Sequence, residues 1–182
     1  TTRALTRHGK YLVAELDDGS RLLLHLGMTG QLFTASAQSV RLLNGTKLGA
    51  LDPERQGAFK ADSHTHLVLH FADSKEPVLF RDVRKFGKVR WLAKGQGDAR
   101  LDKLGVDALD ITGAHLFAQS RKRKVAVKTF LLDQGVLAGV GNIYADEALF
   151  RAQVLPTRAA SSLTRKECEA LAAAIVKVLL RS

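Results

Sequence analysis

Residues 131–150 read LLDQGVLAGVGNIYADEALF, and the fold turns on this stretch. Gly135, Gly139, Gly141 and Asn142 stand between two segments whose apolar spacing is helical. Two or three residues suffice to turn a corner between helices, and glycine costs roughly 0.5–1 kcal/mol relative to alanine in ordered backbone. A cluster of glycines therefore implies that main chain approaches something closely. A dinucleotide fingerprint is excluded: Gly139-Val140-Gly141 supplies a G-x-G, but Tyr144 occupies the third glycine position and a helix precedes where a strand is required. What remains is a helix, an extended double turn, and a second helix starting at about Asn142. Such a start offers unpaired N–H groups and partial positive charge to an anion. Gly139 and Gly141 let the backbone approach, and Asn142 can cap the helix and donate its amide. Upstream lies RKRKVAVK, where a helix would project Lys124 and Lys128 together as i, i+4 neighbours. A basic run alone is an ordinary solvated face; beside a glycine-lined helix start it points to phosphate.

Global charge points the same way. The 182 residues carry 28 Lys+Arg against 18 Asp+Glu, a net charge of +10 with apolar residues at 46%. That balance builds a core of one or two domains and leaves an excess suited to a polyanion, nucleic acid first and an anionic membrane surface second, with plain solubility as the bland alternative. Cys168 is the single cysteine, so no disulfide framework or multi-cysteine zinc site forms within these residues. No secretory h-region and no bilayer-spanning apolar run is present, and a soluble protein is expected.

Organisation changes partway along. From Lys10 to Trp91 short segments alternate with period two between turn signals: KYLVAEL, DDG, RLLLHLGM, then HTHLVLHF, ADSKEP, VLFRD and KVRWLA. Ser36–Asp62, rich in Gly, Ala and Ser, is expected to be a surface insertion with little regular structure. After KGQGDAR the pattern is helical, in TGAHLFAQS, KVAVKTFLLDQ, NIYADEALFRAQ and TRKECEALAAAIVKVLLRS. The last opens with a capping box, Thr164-x-x-Glu167. The expected fold class is α+β: an antiparallel β-sandwich-like domain over 1–103, a linker over 104–112, and a helical domain with a helix–two-turn–helix motif over 113–182.

These residues resemble the formamidopyrimidine-DNA glycosylase and endonuclease VIII family. KTFLLDQGVLAGVGNIYADEALF looks like its helix–two-turn–helix, and HGKYL, HLGMTG, RDVRKFG and P-x-R-x-A-S-S-L resemble its further motifs in the same order. The resemblance covers almost the whole chain except 36–62. It implies a base-excision repair enzyme, a DNA-formamidopyrimidine glycosylase and abasic-site lyase. Such an enzyme removes oxidised purines such as 8-oxoguanine and formamidopyrimidines, or oxidised pyrimidines in the other branch. It implies double-stranded DNA with an oxidised base or abasic site as partner, a monomer, and a cytoplasmic or nucleoid location in a bacterium (nuclear in a eukaryote).

Residue roles follow from the same resemblance. Lys10 resembles the catalytic lysine that approaches the lesion and assists β-elimination; without the resemblance it reads as a solvated lysine at a strand start. Met28, Arg84 and Phe86 resemble the trio that fills the gap left by the everted nucleotide, and lean towards the purine-lesion branch. An enzyme working on a stacked base must flip it out, and an apolar wedge, a ring and a guanidinium suit the vacated space. The family wording at that site is D-P-R-R-F; here it is Asp82-Val83-Arg84-Lys85-Phe86, without the proline. His64, Arg84, Lys124 and Asn142 match DNA-contacting positions, with Lys128, Gly141 and Ile143 as secondary phosphate contacts. On a strand, His64, His66 and His70 share a side, and H-x-H spacing can chelate zinc. No further Cys accompanies them and Asp62 is the only nearby carboxylate on that parity, so a surface or partly packed pair is the better reading and no metal site is expected in these residues.

Two family parts have no counterpart between Thr1 and Ser182: the N-terminal proline nucleophile with its following glutamate, and the C-terminal zinc hairpin or its zincless equivalent. The 182 residues look like the middle of a glycosylase, a truncated form or a degenerate paralogue. They are expected to bind DNA and, alone, to release no base. A non-catalytic damaged-DNA binder and an RNA-binding module stay open as other classes, the latter disfavoured because RNA binding needs no wedge into a base stack.

Overall fold

The computed structural model describes residues 2–34, 36–37, 41–44, 47–50, 59–72 and 76–181, the side chains of 41–44 and 47–50 excepted. The chain divides into two compact units, 1–5 with 11–94 and 6–10 with 95–182. The sequence pattern sets the boundary at 103; the structure sets it at Lys94, and joins a short early segment to the later half.

The first unit is antiparallel sheet. β1 (Thr2–His8), β2 (Tyr11–Leu16), β3 (Arg21–His25) and β9 (Lys88–Leu92) form a four-stranded sheet in the order β1-β2-β3-β9. β4 (Gly30–Thr34), β8 (Val78–Asp82) and β7 (Thr65–Leu69) form a three-stranded sheet in the order β4-β8-β7. Leu23, Leu24, Phe33, Leu79, Phe80 and Leu92 are buried, and the Phe80 ring reaches Gly87 at the mouth of β9. Burial of such side chains at roughly 1.5–3 kcal/mol each is what holds the strands together.

Part of the insertion is regular, correcting the expectation for 36–62. β5 (Arg41–Asn44) and β6 (Lys47–Ala50) pair antiparallel, Arg41 opposite Ala50 and Asn44 opposite Lys47. The cause is in the sequence: Gly45-Thr46 are the two residues between the paired Asn44 and Lys47, and a Gly-X pair is a favoured two-residue hairpin sequence. Phe59 packs its ring edge-on against Phe33 with centroids 5.2 Å apart. Positions 38–40, 45–46 and 51–58 of the insertion lie outside the described residues.

The second unit is built on α1 (Gly113–Ser120), α2 (Val127–Leu132), α3 (Asn142–Arg151) and α4 (Arg165–Leu179). Its core includes Leu116, Phe130, Leu131, Leu149, Leu171 and Ile175, all nearly inaccessible. Thr112 caps α1 by accepting from His115 N at 3.2 Å, and α4 carries the expected capping box of Thr164 and Glu167. The expected linker at 104–112 is instead structural. β10 (Val106–Asp107) pairs in parallel with β11 (Leu137–Ala138), the middle of the glycine-rich turn. Among the described residues no helix is long and apolar enough to cross a membrane.

Candidate nucleic-acid interface

The double turn is knitted from inside by Gln134. Its amide nitrogen donates to Leu132 O and Val140 O, each at 3.0 Å, and its oxygen accepts from Gly139 N at 3.1 Å. Against this turn lies the Gly9–Lys10 turn that joins β1 to β2. Gly9 has φ +57°, and a Cβ there would stand 2.9 Å from the Ala138 Cβ and 3.2 Å from Gly139 N. The main chain approach implied by the glycines is thus to another stretch of this chain.

Asp107 clamps the two turns together. Its Oδ2 accepts from Arg7 Nη1 at 2.8 Å and from Gly9 N at 2.7 Å, and its Oδ1 accepts from Arg7 Nη2 at 2.8 Å and from Leu109 N at 3.0 Å. Burial opposes ionisation of this carboxyl, but the Arg7 guanidinium and the Gly9 and Leu109 amides outweigh it and hold it below the usual range. The clamp places Lys10 at the start of α3: a carbon added to Gly141 would lie 3.7 Å from the Lys10 ammonium. The residue as a whole is exposed, yet neighbouring atoms desolvate its ammonium and lower its pKa.

Asn142 is not the helix cap. Gly141 holds that position in extended conformation, its carbonyl accepting from Ala145 N at 2.8 Å, and no side chain caps α3. Asn142 is the first helical residue, and both it and Ile143 (71% exposed) face solvent. The first amides of α3 therefore keep their partial positive charge with no side-chain acceptor.

Lys124 and Lys128 are not neighbours on a helix. α2 begins only at Val127, because residues 123–128 pair instead with 156–161: Val127 N donates to Arg158 O at 2.8 Å and Ala160 N to Val125 O at 2.9 Å. Lys124 lies exposed in that extended stretch, whereas Lys128 Nζ donates to Asp146 Oδ2 at 2.8 Å.

Within the first unit, Met28 (69% exposed) and Phe86 (49% exposed) stand on adjoining turns, 26–29 and 83–87. Gly27, at φ +65°, lies so close that a Cβ there would be 2.7 Å from the Phe86 carbonyl carbon. The Arg84 guanidinium stacks over the Phe86 ring, 4.7 Å from its centroid. His64 precedes β7, and a register shift between Thr65 and Leu67 breaks the alternation that would align His64 with His66 and His70. His66 Nε2 lies 2.8 Å from Asp82 O, and Asp62 pairs with the buried Arg81 at 2.8 Å. Among the described residues no three His, Cys, Asp or Glu side chains converge as a metal set.

Sequence reasoning missed Arg7, Asp82, Asp107 and Gln134. Each acts through hydrogen bonds to backbone of a turn, and partners distant in sequence, such as Asp107 for Arg7, give no local signal.

An antiparallel β unit with exposed turns, and a helical unit with a glycine-lined double turn, define a class, the helix–two-turn–helix proteins. Comparison with known proteins narrows it. The formamidopyrimidine-DNA glycosylase N-terminal domain matches residues 1–89, and the formamidopyrimidine-DNA glycosylase H2TH domain matches residues 104–182. Formamidopyrimidine-DNA glycosylase of Geobacter metallireducens is 43% identical over 185 residues, spanning 100% of this chain and 61% of that protein. That of Pelobacter propionicus is 42% identical over 190 residues, with the same coverage of 100% and 61%. Among solved structures, the MutM (Fpg) protein of Thermus thermophilus superposes with TM-score 0.75 at 33% identity, over 99% of this chain and 59% of that one. The Lactococcus lactis formamidopyrimidine-DNA glycosylase superposes with TM-score 0.77 at 28% identity, over 100% and 62%. The chain belongs to the formamidopyrimidine-DNA glycosylase and endonuclease VIII family. It spans about three fifths of the length of the curated relatives it matches, 61% for the Geobacter and Pelobacter proteins.

Proposed function

We propose that these residues are the phosphate-holding and gap-filling portion of a DNA glycosylase with abasic-site lyase activity. It acts as a monomer on oxidised purines in duplex DNA. The observation that carries the reading is the Lys10 ammonium held at the uncapped start of α3 by the Asp107 clamp. A lysine there neutralises a phosphate that the α3 amides bind, and its lowered pKa makes it a better proton carrier than a free lysine. Solved Lactococcus lactis neighbours are named as bound to DNA containing an abasic site or a FAPY-dG, which supports damaged duplex as the ligand. Met28, Arg84 and Phe86 suit the space of an everted nucleotide, since two are exposed apolar groups on turns and the third stacks on one of them.

Schiff-base chemistry needs an unprotonated amine aimed at the sugar carbon and an acid to open the ring. A polypeptide made of these 182 residues alone would offer the primary amine of Thr1, with arginine rather than glutamate after Thr2. The 182-residue chain is therefore expected to bind an abasic duplex and to release no base. Borohydride trapping on an 8-oxoguanine duplex, run beside a strand-nicking gel, tests this. An adduct that disappears in Lys10→Ala would place the nucleophile at Lys10 and overturn the assignment. In the full-length protein the same assay should trap an adduct; failure there would leave a non-catalytic damaged-DNA binder.

A further inference from the structure

The turn that carries Met28 and the turn that carries Arg84 and Phe86 meet at one carboxylate, that of Asp82 at the end of β8. Asp82 is 1% exposed. Its Oδ1 accepts from Thr29 Oγ1 at 2.5 Å and from Arg84 N at 3.2 Å, and its Oδ2 accepts from Gly87 N at 2.6 Å. Thr29 Oγ1 also accepts from Arg84 N at 3.2 Å, so hydroxyl, carboxylate and amide close a small ring of hydrogen bonds across the two turns. On its other side the Asp82 carbonyl lies 2.8 Å from His66 Nε2, tying the same residue to β7.

We propose that Asp82, with Thr29, is a positioning residue that locks the two turns into one rigid platform, so that Met28 and the stacked Arg84–Phe86 pair are presented to the DNA together. This rests on the gap-filling reading above. The geometry explains how the turn after β8 stays ordered with Val83 where the family wording has proline: backbone amides at both ends of the turn are held by one buried acceptor. It also explains how Lys85 keeps φ +57°, a conformation that a non-glycine residue holds only when its surroundings impose it. Burial opposes ionisation of Asp82, yet bonds from Thr29, Gly87, Arg84 and Lys85 hold its carboxyl below the ordinary range, so the charged form is the one that bridges the turns. Without the lock, ordering each turn on the DNA would carry its own entropic cost on every encounter.

The test compares affinity for a fluorescein-labelled duplex with an abasic site and for the same duplex intact. Thr29→Val removes the hydroxyl while keeping the branched shape, and Thr29→Ser keeps the hydroxyl. Thr29→Val should lower the abasic-to-intact affinity ratio by about tenfold, the effect of losing one hydrogen bond to a charged group. Thr29→Ser should restore the ratio, and Asp82→Asn, if it folds, should lower it at least as far. Backbone amide exchange at Arg84 and Gly87 should accelerate in Thr29→Val, and the methyl resonance of Met28, the single methionine, should shift. If Met28→Ala and Phe86→Ala lower the ratio while Thr29→Val leaves ratio and exchange unchanged, the lock is refuted and the gap-filling reading survives. If Met28→Ala and Phe86→Ala also leave the ratio unchanged, the gap-filling reading falls and the proposal falls with it.

Discussion

The carboxylate of Asp107 accepts four hydrogen bonds, from Arg7, Gly9 and Leu109. Two of the three donor residues lie about a hundred positions earlier in the chain, the sequence separation of Arg7 and Asp107 being 100. Nothing in the composition of LGVDALD announces this, because an Asp shortly after a glycine is ordinarily a turn residue. Replacing Asp107 with Asn keeps the shape and removes the charge that both the guanidinium and the Gly9 amide face. The expected loss of stability is about 1.5 kcal/mol, the low end for bonds to a charged group, because the Arg7 side chain is 41% exposed and can be rehydrated. The folded carboxyl lies below its ordinary 3.8, so its contribution is present above that value and lost as pH falls through the lower folded one. Denaturant melts of wild type and Asp107→Asn should therefore differ at pH 7 and converge in acid. Curves that coincide at pH 7 would show that the clamp contributes nothing.

Among the elements, α4 was the most legible and behaves accordingly. Thr164 and Glu167 form the box, and Arg158 adds Nη1 to Glu167 Oε1 at 2.6 Å. The Arg158 guanidinium first, then the Thr164 amide, bring the Glu167 carboxyl from 4.5 down to about 2. Because the folded value is depressed, the stabilisation is complete above 4.5 and is lost as pH falls towards about 2. Protection of the first-turn amides of α4, corrected for the intrinsic pH dependence of exchange, should fall across that window and stay flat in Glu167→Gln; a fall of equal size in the variant would exclude Glu167 as its cause. The same period-based reading lengthened α2 and missed β10 and β11. A helical pattern from Lys124 was overridden by pairing of 123–128 with 156–161, a contact no local window contains. Strands of two residues, Val106–Asp107 and Leu137–Ala138, are too short to show any period.

At the scale of the molecule, motif order and net charge carried most of what was legible, while the carboxylates that hold the turns in place were not, since they join distant stretches. The charge of +10 predicts salt-dependent binding to any duplex, and the lysines differ in exposure and pairing. Lys124 is exposed and extended, with no acidic partner among the described residues. Lys128 is paired with Asp146 at 2.8 Å. A free lysine that neutralises a phosphate releases a counterion on binding; a lysine already paired with a carboxylate has less to release. Lys124→Ala should therefore weaken binding to intact duplexes of any sequence and flatten the slope of log K against log salt by about 0.9. Lys128→Ala should change that slope by less, because the ammonium it removes is already neutralised by Asp146. Fluorescence titrations between 50 and 200 mM salt, roughly the range over which such contacts are lost, read both slopes directly. Equal slopes for wild type and Lys124→Ala would remove Lys124 from the interface and leave the phosphate site to Lys10 and the start of α3 alone.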